Sequence, residues 1–289
     1  MSLHYLDEPI EHAVDSCLAL PNTVKLNQQE TVLYKITNPG DGSSKYFQAH
    51  GILMVFAWMF FASTGILMSR YFKKSWSGLV CGKAGWFAGH RLLMSMVTVL
   101  TTLGFLFILV AMGGTWPTST EETKHYIHTI TGAMVIGFAF FQPFIALFRC
   151  EPDSRYRFIY NYLHGFFGYS ALILSIVTIF LASFFRLFKN DSGRVVMTIW
   201  SIWIVAVFSM FEALEIFSRK RTQGLVYANI NEPKTIGEIV ENPTSPSATL
   251  SRSANEQEAT SYDKLKNILL GIHILIAAIL SIVMSVLIG

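Results

Sequence analysis

The sequence predicts an all-α integral membrane protein with six transmembrane helices, and three observations predict it. Of its 289 residues, 52% are hydrophobic and only 14% charged, with a mean hydropathy of +0.43, where soluble domains carry roughly 25% charged residues. The apolar residues gather into six runs, each long enough to cross a hydrocarbon layer about 30 Å thick at about 1.5 Å per residue. Runs of this length satisfy their backbone groups in lipid as helices, whereas barrel strands would be about ten residues long and alternating.

The same composition excludes other classes. A net charge of +3, scattered along the chain, argues against a nucleic-acid surface, which needs a clustered basic face. Cys17, Cys81 and Cys150 lie far apart with no CxxC pair, so neither a zinc site nor a disulfide framework is encoded, and no CxxCH is present to attach a haem covalently. Residues 1–46 hold six acids against three lysines and show no cleavable signal.

In chain order, the spans are expected at about 48–69, 87–111, 125–148, 160–185, 195–217 and 267–288. A polar stretch rich in Ser, Pro, Asn and Glu, roughly 222–263, precedes the last one and reads as a flexible linker. The expected organisation is an extracytoplasmic polar head (1–46), a five-helix core (47–218), a flexible cytoplasmic linker (219–264) and a sixth helix (265–289). Orientation follows the excess of Lys and Arg in cytoplasmic loops. Arg70, Lys73, Lys74 and Lys83 mark loop one, Arg149, Arg155 and Arg157 loop three, and Arg219, Lys220 and Arg221 loop five. Both termini are then expected outside. Loop four, with Arg186, Lys189 and Arg194, is discordant, although it also carries the glycosylation acceptor sequence Asn190-Asp191-Ser192.

Five of the eight histidines fall at informative positions. His50 and His128 each sit about one turn inside the outer end of their spans, and His90 and His164 about one turn inside the cytoplasmic ends of theirs. Polar side chains at membrane depth are costly and mark function. Two imidazoles at one depth on facing helices supply both axial nitrogens to a flat macrocycle. The arrangement occurs twice, which predicts two cofactors stacked across the bundle with irons about 20 Å apart. His125 competes with His128 but falls at the water boundary, so His128 is preferred. Gly51, Gly85, Gly89, Gly132 and Gly168 lie beside these histidines and are expected to let the macrocycle rest against backbone. His273 is assigned no chemistry. The alternative reading is a transporter or scaffold whose intramembrane histidines bind a substrate or partner without redox chemistry.

Taken together, His50-Gly51-Ile52-Leu53-Met54 leading to Gly65 and Ser69-Arg70-Tyr71, Gly89-His90-Arg91, His128 with Gly132, Gln142-Pro143, and Tyr162-Leu163-His164-Gly165 with Gly168-Tyr169 resemble the cytochrome b561 family. The likeness is greatest to its ferric-chelate reductase branch and covers about residues 46–220. It implies a transmembrane oxidoreductase with two non-covalent b haems, ligated by His50 with His128 and by His90 with His164. Ascorbate or another cytoplasmic reductant would be the donor, and a ferric chelate or another outer acceptor would take the electron. The branch carries extracellular reelin-like and DOMON domains, which are expected to be missing because only some 46 residues precede span one. Lys83, Arg149 and Arg157 are the expected donor-site cations, and Arg91, next to His90, is expected on a haem propionate. The plasma membrane or an endomembrane vesicle is the expected location, with a homodimer left open.

Overall fold

The computed structural model describes residues 41–114, 123–149, 151, 153–185, 188, 191–231 and 246–289. Six helices are long and apolar enough to cross a membrane: Ser43–Tyr71, Gly85–Ala111, Thr123–Leu147, Arg157–Ala182, Ser192–Arg221 and Ser261–Ile288, here spans one to six. The all-α six-span bundle is therefore what the chain forms. Arg186, Lys189 and Asn190, named above as loop residues, lie outside the described residues.

Spans one and two form one closely packed antiparallel pair and spans three and four another; span six packs against both span five and span one. The two pairs approach each other through spans two and three, and through the middle of span one against span four. Spans one and three, and spans two and four, make little direct backbone contact. These two helix pairs are thus the diagonals of the four-helix core.

Span one is not uniform. Its α-helix Asp41–Val55 passes into a π-helical segment, Phe56–Ala62, and resumes as α over Ser63–Tyr71. Single π turns inside α-helices cluster at functional sites. The π segment carries the buried side chains Trp58 and Met59. Between spans one and two, strands Leu79–Val80 and Lys83–Ala84 pair as a short hairpin. Its turn residues Cys81 and Gly82 have φ of +51° and +73°, the pattern of a two-residue turn whose twist suits a hairpin.

Two expectations change. The stretch expected as a linker is helical at both ends, because the fifth helix runs Ser192–Asn231 and the last begins at Pro246 and continues to Ile288. Ala, Glu, Gln and Leu residues in the second of these segments favour helix although they give no apolar face. Nor is the last span isolated. His273 is fully buried, with Nε2 3.1 Å from Ser63 Oγ of span one and Nδ1 accepting from Trp203 Nε1 of span five at 3.2 Å. Nearer the loop-one end, Lys266 Nζ meets Glu215 Oε2 at 2.8 Å, Ser75 Oγ donates to Asp263 at 2.6 Å, and Trp76 Nε1 donates to Asn267 at 3.0 Å. At the other end Gly51 faces the Ile288 side chain. Span six is thereby fixed along its whole length.

Candidate functional site

Span one carries His50 and span three His128, and their rings face each other with centroids 6.5 Å apart. Span two carries His90 and span four His164, with centroids 6.2 Å apart. Both pairs bridge the diagonals where the helices otherwise stay apart. A metal bound to two imidazole nitrogens at about 2.0 Å each separates their ring centroids by about 6 Å. Each pair therefore has the centroid spacing of two axial ligands, with its two ring planes nearly perpendicular at 77° and 78°. Among the described residues no three His, Cys, Asp or Glu side chains converge. A closed zinc site takes about four ligands, whereas a haem needs two axial ones, so the donor set fits a haem.

The other ring nitrogens are held by main chain. His50 Nδ1 donates to Gly104 O at 2.8 Å, His90 Nδ1 to Gly65 O at 2.9 Å, and His128 Nδ1 to Thr178 O at 2.9 Å. A ring that donates from Nδ1 presents the Nε2 lone pair to a metal, and such partners fix its orientation. The partnership is reciprocal: His50 of span one bonds span two, and His90 of span two bonds span one.

This geometry has a register. Histidine and acceptor residue stand 14 positions apart in span two (His90, Gly104) and in span four (His164, Thr178); in span three Gln142, which donates to the carbonyl of His164, likewise stands 14 after His128. That interval is about 21 Å of helix. In span one, His50 and Gly65 stand 15 apart. The π segment lies between them. An i→i+5 turn takes one residue more than an α turn, so the segment absorbs the extra residue and returns the Gly65 carbonyl to the face that His90 meets.

The glycines beside the histidines meet defined neighbours. Gly51 faces Ile288, Gly85 the carbonyls of Trp76 and Gly78, Gly89 Met68, Gly132 the Thr178 methyl and Gly168 the amide of Gln142. All five lie against neighbouring elements. A Cβ at Gly65 would collide with the end of the Met94 side chain and press on Leu93, and one at Gly104 would press on the end of Met54 and touch Leu53. Those two glycines bring spans one and two close enough for the histidines to reach main-chain oxygen. Met54 and Met94 thus pack against helix backbone. His125 stacks on Phe185 at 4.0 Å, and His128 meets the same ring edge-on at 5.1 Å.

Cations gather at the His90–His164 level. Arg149 and Arg91 both lie over the Phe87 ring, at 4.1 and 5.7 Å, and Lys73 lies 5.5 Å over Trp86. Partial desolvation, then Arg70, Arg157 and Arg149, lower the Lys73 pKa from its ordinary value. Burial, then Arg157, lowers that of Arg149. Arg149, Arg157 and Arg91 are therefore brought together. Lys83 sits exposed on the hairpin's second strand, and Lys73 joins the cluster, a residue the loop count registered only as positive charge. At the opposite level Lys124 and Arg194 lie over Phe184 at 4.6 and 5.0 Å.

With this geometry in place, relatives can be compared. The chain is 35% identical to human ferric-chelate reductase 1 over 144 residues, 49% of this chain and 23% of that protein. It is 32% identical to the bovine ferric-chelate reductase 1 over 166 residues, 54% and 27% of the two chains. A cytochrome b561 and DOMON domain-containing protein of Arabidopsis thaliana is 31% identical over 144 residues, 45% and 30% of the two. The chain spans about a quarter to a third of the length of the curated relatives it matches. No family model and no solved structure matches it. The resemblance carried by the sequence motifs, to the ferric-chelate reductase branch of the cytochrome b561 family, holds against these relatives.

Proposed function

We propose that this chain, whose core is similar to that of ferric-chelate reductases of the cytochrome b561 family, carries electrons across a membrane through two non-covalent b haems. His50 and His128 hold one haem near the outer face, and His90 and His164 hold the other near the cytoplasmic face. Ascorbate or a similar anionic reductant donates on the cytoplasmic side, and a ferric chelate accepts outside. The observation that carries this reading is the pair of facing imidazole pairs, 6.5 and 6.2 Å between centroids.

When bound, each haem takes up and gives up one electron. The protein's own residues do the rest. Gly104, Gly65 and Thr178 accept the Nδ1 hydrogens of three ligands, which keeps Nε2 free and makes each ring a stronger donor to iron. The two levels, about 21 Å apart along the helices, divide the span so that no single transfer crosses the whole apolar layer. Lys73, Arg149 and Arg157 draw an anionic donor to the cytoplasmic level, and Arg91 pairs with a propionate there. Lys83, further out on the hairpin, guides the donor inward by charge.

Reconstitution tests the proposal. Vesicles loaded with ascorbate and carrying the protein should reduce external ferric citrate, and vesicles with the protein but without ascorbate should not. Equal external reduction by ascorbate-loaded vesicles with and without the protein would contradict it.

A further inference from the structure

Three of the four paired histidines give their Nδ1 hydrogen to a main-chain carbonyl, and the fourth does not. His164 Nδ1 is buried and has no hydrogen-bond partner. Tyr160 stacks flat on its ring, 5.6 Å away with an interplanar angle of 7°, and a parallel ring offers no acceptor in the imidazole plane. In the register set by His128 and Thr178, the residue opposite His164 is Gln142. Gln142 does reach it, with Nε2 donating to the carbonyl oxygen of His164 at 3.0 Å. Its Oε1 is likewise buried without a partner. An unused donor and an unused acceptor therefore sit on two residues already bonded to each other. Buried polar groups are seldom left unpaired, because each costs its desolvation. Gly168, one turn beyond His164, has its open face against this amide.

We propose that Gln142 is the positioning residue for His164: in the haem-loaded protein its Oε1 accepts the Nδ1 hydrogen while Nε2 keeps the main-chain carbonyl, clamping the ligand at two points. The inference rests on the haem reading above and extends it to the Gln142-Pro143 motif, to which that reading gives no role. A side-chain acceptor differs from a carbonyl in being replaceable, so the basicity of this one ligand is set by the residue at 142. Stronger acceptance at Nδ1 makes the imidazole a better donor to iron. It favours the ferric state and lowers the reduction potential.

The test is a redox titration of the haem-loaded chain, with electron paramagnetic resonance of the oxidised form, on wild type, Gln142→Leu and Gln142→Glu. The component belonging to His90 and His164 is assigned as the one that survives in His128→Ala. Gln142→Leu should move that component's one-electron equilibrium toward the ferrous state by about tenfold, which is ~59 mV. Gln142→Glu, an obligate acceptor, should move it the other way and restore the wild-type line shape if Gln142→Leu alters it. The outer component should stay in place in both. Should Gln142→Leu fail to fold, Gln142→Glu still gives the sign. Two components that ignore residue 142, or that shift together, would overturn the inference and leave Gln142 a clasp between spans. A wild-type chain without two components would remove the haem reading itself, a distinguishable failure.

Discussion

His50 in span one donates its Nδ1 hydrogen to the carbonyl oxygen of Gly104 in span two, at 2.8 Å. Position 104 lies close against span one: a Cβ there would come within 2.9 Å of Met54 Cε and 3.6 Å of the His50 carbonyl, and a branched side chain would reach further. Gly104→Val should push the helices apart and cost the outer haem while the inner one remains. Gly65→Val, which strikes Met94 and Leu93 beneath the His90 partner, should do the reverse. Haem content and the surviving redox component of each purified variant check this pair of outcomes.

The π segment offers a second check. If Phe56–Ala62 takes up the one residue by which span one exceeds spans two, three and four, deleting Phe60 should relax the segment to α-helix and leave both haems bound. Deleting Phe47, ahead of His50, leaves the 15-residue interval intact and should likewise spare both. Deleting Leu53, between His50 and the segment, draws on the same surplus residue. An insertion at that point should lose a haem. Absorption spectra of the four proteins decide it.

Span six should behave as part of the core. His273→Leu leaves Trp203 Nε1 without its acceptor and Ser63 Oγ without its ring partner, a cost of about 1–3 kcal/mol for a buried group left unpaired. A matching fall in unfolding midpoint is expected, with haem content unchanged. In the double-mutant cycle with Ser63→Ala, the two effects should not add.

The ion pairs should rank by burial. Lys266 and Glu215 have side chains 8% and 17% exposed at 2.8 Å, while Arg70 and Glu212 are 48% and 43% exposed at 3.4 Å. Lys266→Ala strands a mostly buried carboxylate and should cost about 3–5 kcal/mol, moderated by the Arg219 contact to the same Glu215. Arg70→Ala should cost under about 1 kcal/mol. Thermal unfolding in a single detergent compares them.

Lys73 gives a pH dependence with a definite sign. Its pKa lies below its ordinary 10.5 because of desolvation and the nearby Arg70, Arg157 and Arg149. Between the lowered folded value and 10.5 the unfolded chain holds more protons, so stability should rise with pH across that window. Attraction for an anionic donor should fall over the same window as the ammonium is lost. Lys73→Met should flatten the alkaline limb of the ascorbate reduction rate, read by stopped flow.

How much of this was legible in the sequence follows from what each feature depends on. The spans depend on length and hydropathy, which are local, so residues 87–111 and Gly85–Ala111 nearly coincide. The histidine levels depend on distance from span ends, also local, and His50 with His128 and His90 with His164 come together as depth predicts. Acceptors are a different matter. A main-chain carbonyl at Gly104 or Thr178 has no signature of its own, and its partner lies 54 or 50 residues away. The surroundings of the glycines are non-local for the same reason: sequence shows which residue lacks a side chain but not which neighbour lies against it, as with Gly51 and Ile288. His273 was silent because its partner Ser63 is 210 residues away. The 15-residue interval of span one was countable, yet its meaning needed the Gly65 contact to be known.

Haem content per chain, measured on the wild-type protein and on His50→Ala, His128→Ala, His90→Ala and His164→Ala, tests the paired ligation. Two haems are expected in the wild type and one in every variant. His50→Ala and His128→Ala should keep one and the same redox component, and His90→Ala and His164→Ala should keep the other. A folded, haem-supplied wild type that binds none, or a variant set in which His50 groups with His90 instead of His128, would contradict it.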